Sequence, residues 1–384
     1  MMKNKYFLSV LTLLLCGLIF SFKFSFDEHK SLAIGDKAPD FHLSGVDGKT
    51  YSLNSFKNAS ILVVIFTCNH CPTAQAYEDR IIQLTNDYSN KGVAVVAIMP
   101  NDPHAIRLDE LGYTDLGDSF TEMKIRAKQK NFNFPYLYDG NSQTTTTAYG
   151  PAATPHVFIF DQNRNLCYSG RIDDVENPKK NPHIQDTRNA LINLLNHKKP
   201  DVATTKVFGC SIKWSEKEDW QQKAQDEWAK EPVKIDTIGE AGLKEMLQNK
   251  SDKLRLINVW ATWCGPCITE FPEFVTINRM YRRRDFEVIT ISADDPAKKE
   301  KALKFLKQAQ AASTNYIFNK DDQYKLIEAI DPKWQGALPY TLLVEPGGKI
   351  VYTHQGIIDP AEIKKIIVDN SFIGRYYYNS SLKY

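Results

Sequence analysis

Twice in this 384-residue chain a largely apolar run delivers two cysteines with two residues between them. Ile61–Phe66 leads into "FTCNHCP", and Leu254–Ala261 leads into "WCGPC". Apolar runs of that length fit strands buried on both faces, and the stretch after each pair fits a helix. In the first copy an opening hairpin turns at Asp47-Gly48, and the strand, the cysteines and a helix to about Asn90 follow. Next come a strand at Gly92–Ile98, a helix at Ser119–Lys130, then "FPYLYD" and a short helix. "ATPHVFIFDQNRNLCYSG" reads strand, turn, strand, and a helix over Asp186–His197 closes the unit. The second copy repeats the order: strand Leu254–Ala261, cysteines, helix, strand Phe286–Ser292 and helix Ala297–Gln310. "ALPYTLLVEPGGKIVYTHQG" is again strand, glycine turn, strand, with a last helix from Pro360 to about Asp369. Such alternation, with an antiparallel pair near the end, predicts an α/β chain of two tandem units, each a central mixed β-sheet flanked by helices.

The first copy is the longer, and its surplus falls in the loop Asn101–Ser119. The expected division is 1–31 as a signal or anchor, 32–200 as the first domain, 201–232 as a linker, 233–370 as the second domain and 371–384 as a tail. In the linker Ser215 can cap a helix, and Trp220, Ala224 and Trp228 would form one apolar stripe docked on a domain. Apolar and charged fractions of 42% and 24% allow each unit its own core. A formal charge of +2 offers no field for nucleic acid, which is excluded as a partner. The cluster Arg282–Arg284 reads as the basic last turn of a helix, where cations suit the dipole.

Lys3 and Lys5 followed by an apolar stretch from Tyr6 to Phe22 predict export, with the segment either removed or kept as a membrane anchor. Cys16 lies inside it; the other cysteines are Cys68, Cys71, Cys167, Cys210, Cys264 and Cys267. A chain this long needs no staples, so the two close pairs read as redox dithiols. A strand ending at the first cysteine and a helix beginning around it would set that thiol at a helix N-terminus, where dipole and free N–H groups favour the thiolate. Cys68 and Cys264 are therefore the expected attacking thiols, and Cys71 and Cys267 the resolving ones. His70 would support the Cys68 thiolate and make the first site the more oxidising. Zinc needs four ligands where each pair supplies two. Copper on Cys68, Cys71 and His70 is the better metal rival. No metal and no cofactor is expected.

"INVWATWCGPCITEFPEF", with Trp263 and its "EFP", resembles the thioredoxin superfamily in its exported, membrane-associated branch, over roughly Val233–Asp369. "FTCNHCP", "GRIDD" (Gly170–Asp174) and "GCSIKW" (Gly209–Trp214) resemble thioredoxin-like proteins of the peroxiredoxin-related type, over about Leu32–Trp214. Thr67 directly beside Cys68 departs from peroxiredoxin spacing. The resemblance implies two thioredoxin-like folds, with cis prolines at Pro155 and Pro339 facing the cysteines. It also implies exchange with protein disulfide or dithiol clients and a membrane or thioredoxin-type electron donor. The buried acid usual on the strand before the motif is replaced by Asn258, and by Leu62 in the first copy; Glu270 is a candidate substitute. Cys210, in the family motif, either pairs with Cys167 or is a third redox thiol. A rival function makes the first unit a metal- or partner-binding or peroxidase-like module, leaving disulfide reduction to the second.

Overall fold

The computed structural model describes residues 29–177, 179–320 and 322–376. The N-terminal segment expected to direct export, with Cys16, and the last residues of the tail lie outside them. Residues 29–214 build a seven-stranded mixed sheet and residues 233–370 a six-stranded one.

The first unit runs β1 (Leu43–Gly45), β2 (Thr50–Tyr51), β3 (Ile61–Phe66), α1 (Pro72–Tyr88), β4 (Val93–Met99), α2 (Phe120–Lys130), β5 (Tyr136–Tyr138), α3 (Thr144–Tyr149), β6 (His156–Phe160), β7 (Leu166–Gly170) and α4 (Asp186–Leu195). Its strand order is β2-β1-β5-β4-β3-β6-β7, parallel from β3 through β4 to β5 and antiparallel elsewhere. In β3 side chains alternate between faces. Ile61, Val63 and Ile65 join the core under α1, and Leu62, Val64 and Phe66 join the core on the other side. Burying each of these contributes roughly 1.5–3 kcal/mol, which is why the run carries no polar residue.

A connector helix α5 (Glu218–Ala229) precedes β8 (Asp236–Ile238), α6 (Glu240–Gln248), β9 (Leu254–Trp260), α7 (Gly265–Tyr281), β10 (Phe286–Ser292), α8 (Lys299–Gln308), β11 (Thr314–Phe318), α9 (Gln323–Ile330), β12 (Tyr340–Val344), β13 (Ile350–Gln355) and α10 (Pro360–Asp369). The order is β13-β12-β9-β10-β11-β8, with β12 antiparallel to both neighbours. Here too the central strand β9 sends Leu254 and Leu256 to one core and Ile257 and Val259 to another.

Several local expectations change. Ser215 opens a 3-10 turn over Ser215–Lys217 rather than capping a helix, and α5 starts at Glu218 without a side-chain cap. Ala224 and Trp228 are buried but Trp220 is 54% exposed, so the stripe covers only the end of α5. The start of the expected linker is part of the first unit: Thr204 bridges to Ser169 and Cys210 to Thr154. Arg282–Arg284 do more than complement a dipole. Arg282 pairs with Glu231, Arg283 with Asp109, and the buried Arg284 donates to Gly112 O at 2.7 Å and to Ile373 O at 2.7 Å.

Those contacts join the units. The loop Asn101–Ser119 lies against the C-terminal end of α7, where Tyr281 Oη donates to Thr114 O at 2.7 Å. Leu108 and Leu111 pack on the core of the second unit, and Arg375 clamps Asp115 at 2.5 Å. A helix rises about 1.5 Å per residue, so this contact lies about 24 Å along α7 from its first turn.

Candidate active site

Proline position decides where each cysteine pair meets its helix. Proline suits the first turn, where its missing N–H has no intrahelical partner. In "CGPC" Pro266 stands between the cysteines, so α7 begins at Gly265 and Cys264 is its N-cap, accepting from Cys267 N at 3.2 Å. In "CNHCP" Pro72 follows the pair, so α1 begins one turn later. Cys71 is then the N-cap, accepting from Ala74 N at 3.4 Å.

In the second unit Cys264 and Cys267 form a disulfide. Trp263 beside it is 57% exposed, and a Cβ on Gly265 would meet nothing. Leu338, preceding Pro339 across a cis bond, packs against the same cluster as both cysteines. Asp294, buried after β10, fixes the approach to the motif by accepting from Thr262 N at 2.9 Å and Thr262 Oγ1 at 2.6 Å. Behind the pair, buried Glu270 accepts from Asn258 Nδ2 at 3.1 Å and Ile358 N at 3.0 Å. Burial pushes its carboxyl above the usual range against those hydrogen bonds. The acid absent from β9 is thus supplied by the helix, touching Asn258 itself.

The first site is enclosed. Cys68 and Cys71 are 3% and 0% exposed, and the intervening Asn69 and His70 are also buried. Thr154, joined to Pro155 by a cis bond, meets both sulfurs: its Oγ1 is 3.2 Å from Cys68 Sγ and its carbonyl 3.4 Å from Cys71 Sγ. Asp118 closes the motif from the long loop. It accepts from Asn69 N at 2.9 Å, His70 N at 3.1 Å and Asn101 Nδ2 at 2.7 Å, and its Oδ2 lies 2.6 Å from His70 Nδ1. Burial alone would lower the His70 pKa and raise that of Asp118. Their mutual charge and hydrogen bond reverse both, leaving His70 raised and Asp118 lowered.

The two thiols diverge for the same reasons. Burial pushes Cys68 well up, joined by its hydrogen bond to Cys71 and by the Asp118 charge. Burial would raise Cys71 as well, but hydrogen bonds from Cys210 and Cys68, the His70 charge and the Ala74 amide bring it well below the ordinary thiol value. His70 therefore acts on Cys71, with Asp118 as its direct partner, whereas the sequence assigned it to Cys68. One donor atom each from Cys68, His70 and Asp118 falls within 4.8 Å of the others, the one arrangement among the described residues that gathers three metal-type donors.

Comparison with known proteins agrees with this layout. The Redoxin family model matches residues 33–188 and again 237–367, most of the chain. The chain belongs to the Redoxin family. This Redoxin chain is 24% identical over 157 residues to the thiol-disulfide oxidoreductase ResA of Geobacillus thermodenitrificans, covering 40% of this chain and 79% of that one. It is similar to the crystal structure of a hypothetical protein from Sinorhizobium meliloti 1021, at 32% identity over 48% of this chain and 97% of that one, with a TM-score of 0.43. A second, an uncharacterized conserved protein from Geobacillus kaustophilus, gives 35% identity, 48% and 93% coverage and a TM-score of 0.42. The enzyme class is thiol–disulfide oxidoreductase.

Within the two Redoxin units the sequence located all four paired cysteines, Trp263, His70, Glu270 and both prolines, which the structure brings to the two sites. It placed the helix N-terminus at the first cysteine of each pair; this holds for Cys264 and not for Cys68. It missed Asp118, Thr154 and Asn101. Pro72 was the signal for the helix onset, whereas Asp118 reaches the motif from 48 residues away and left none. A Cys167–Cys210 bridge is ruled out. Cys167 lies beside the Leu166–Phe160 pairing, and Cys210 pairs with Thr154 at the other end of β6. Six residues of strand span about 20 Å, far beyond disulfide reach.

Proposed function

We propose that the protein is an exported thiol–disulfide oxidoreductase in which the second unit exchanges its dithiol with protein disulfides. The observation that carries this reading is Cys264 at the N-cap of α7, bonded to Cys267 and flanked by the exposed Trp263 and the cis Leu338–Pro339 bond. The helix N-terminus favours the Cys264 thiolate, which attacks a client disulfide, and Cys267 releases the client by closing the internal bond. In this reading Glu270, whose carboxyl pKa burial raises, takes up and returns the proton. Support for export comes from the leading segment with Lys3, Lys5 and the apolar run; among the described residues no helix is long and apolar enough to cross a membrane. An electron donor of membrane or thioredoxin type would restore the dithiol.

Cys68 and Cys71 are the second exchangeable pair in this reading. The rival, Cu(I) held by Cys68, Cys71 and His70, finds Cys68 and His70 within one donor cluster, but the third member of that cluster is Asp118 and not Cys71. It loses from the commitment of His70 Nδ1 to Asp118. Cys267→Ser in the full chain should accumulate mixed disulfides with proteins of the exported compartment, and Cys264→Ser should not. Trapping on Cys264→Ser instead would overturn the role assignment.

A further inference from the structure

The cysteines of the first unit are unequally exposed. Cys68 and Cys71 are buried, whereas Cys210 is half-buried. Cys210 is bridged to Thr154, whose amide donates to Cys210 O at 2.9 Å, and Thr154 is the residue that touches both other sulfurs. Gly209 permits this approach. Its φ is +140°, and a Cβ there would fall 2.0 Å from Thr154 O, so no other residue fits without displacing the backbone. The Cys210 side chain packs on the cluster that contains Cys68 and Cys71, and it is among the groups that lower the Cys71 thiol pKa. Cys71 thus shares one cluster with both Cys68 and Cys210. It is the shared partner of two potential disulfides.

We propose that Cys210 is a third redox thiol of the first unit and the one through which that unit meets a substrate disulfide. This rests on Cys68 and Cys71 being an exchangeable pair. Cys210 loses its proton and attacks one substrate sulfur; a Cys210–substrate bond forms, and the other substrate sulfur leaves and takes up that proton. The Cys71 thiolate then attacks Cys210 Sγ, the Cys71–Cys210 bond forms, and the second substrate sulfur leaves as a thiolate. Cys68 attacks Cys71 Sγ, passing its proton to the departing Cys210. Two electrons have moved from Cys68 and Cys71 to the substrate disulfide, and Cys210 ends as it began. The arrangement gives a buried dithiol an outward contact without opening the motif.

The test uses the full chain carrying Cys264→Ser and Cys267→Ser, oxidised glutathione as the substrate, and peptide mass spectrometry after acid quenching. Adding Cys210→Ala should slow formation of the Cys68–Cys71 disulfide by about tenfold or more, since access limits the attack. Thermal unfolding should be unchanged. Adding Cys71→Ser should leave glutathione on Cys210, and adding Cys68→Ser should stop the reaction at a Cys71–Cys210 bond. Unaltered oxidation of the Cys210→Ala chain, or glutathione found on Cys68 in the Cys71→Ser chain, would overturn the proposal. A parent chain that never forms Cys68–Cys71 would remove the exchangeable-pair reading itself, and this one with it.

Discussion

The two units share a strand–CxxC–helix junction yet treat the cysteines in opposite ways. In the second unit the first cysteine caps the helix beside an exposed tryptophan; in the first unit the second cysteine caps it, and a loop and the "GCSIKW" segment enclose both. One residue's position separates them. Pro266 inside its pair starts α7 early, and Pro72 after its pair starts α1 a turn later. Both thiol pairs are themselves buried, with Cys264 6% and Cys68 3% exposed, but the same motif spacing surrounds one with the exposed Trp263, Gly265 and Pro266 and the other with the buried Asn69 and His70.

The largest expected effect tests that division of labour. In an insulin-reduction assay on the full chain, Cys264→Ser should reduce turnover by ~10⁴-fold or more, the order seen when a covalent nucleophile is removed. Cys68→Ser with Cys71→Ser should leave it within about twofold, because the buried pair reaches a client only through the half-buried Cys210 and contributes little to reduction of a folded protein. Comparable losses in both variants would break the comparison.

Next in size is the polar support of each site. Asp118 and His70 form a buried charge pair, and losing one member of such a pair costs about 3–5 kcal/mol. Asp118→Ala should lower urea-unfolding stability by that order. The loss should also depend on pH. Asp118, held below its ordinary 3.8, contributes above that value and loses the contribution as pH falls through its folded pKa. His70, raised above 6.5, contributes in full below that value and loses the contribution as pH rises through its folded pKa. The difference between variant and parent should therefore be greatest between the two ordinary values and shrink on either side. An Asp118→Ala loss that stays level to high pH would remove the charge pair as its cause.

What the sequence showed and what it hid divide along physical lines. Strand β3 was legible because burial on both faces excludes polar residues over the whole run, and β9 because its run is mainly apolar, with Arg255 and Asn258 as its polar members. The helix onsets were legible in principle from Pro72 and Pro266, since proline's fixed φ and missing N–H are local properties. Asp118 was not, because a single aspartate in a loop rich in them has no local mark of its pairing with His70 across the fold. The extra length of Asn101–Ser119 marked the loop without its task, which is double: it closes the first site through Asp118 and docks on α7 through Thr114 and Gly112. Arg284 likewise read as a dipole partner because a basic turn after a helix is ordinary, and its burial appears only once the units meet.

A smaller effect sharpens the role of proline. His70→Pro with Pro72→Ala gives the first unit the proline position of the second and should move the N-cap from Cys71 to Cys68. Cys71 would lose the Ala74 amide and the His70 charge, two of the causes that hold its pKa down. Thiolate absorbance, followed with pH in the Cys264→Ser, Cys267→Ser background, should appear at a higher pH than in the parent with that background. An unmoved titration would mean that the thiol neighbours alone set the Cys71 value.

The smallest effect concerns the residue before each motif. Trp263 is 57% exposed and Thr67 is 6% exposed, so at the position before the motif it is the second unit that offers an apolar side chain to an incoming chain. A tryptophan that becomes covered on binding contributes through the apolar area it removes from water, and partial cover of its ring is worth about 1–2 kcal/mol. Trp263→Ala should therefore raise KM for a disulfide-bonded protein about five- to thirtyfold, since 1.4 kcal/mol is tenfold. It should leave kcat nearly unchanged, because Cys264 keeps its place at the helix end and its neighbours. Reduction of a small disulfide such as oxidised glutathione, which cannot cover the indole, should be unaffected. Thr67→Ala should change neither. A fall in kcat with KM unmoved would show that Trp263 acts on the thiols rather than on the client. Equal losses with the small disulfide would show that the exposed ring is not a docking feature, and the contrast between an open and an enclosed site would then rest on the cysteines alone.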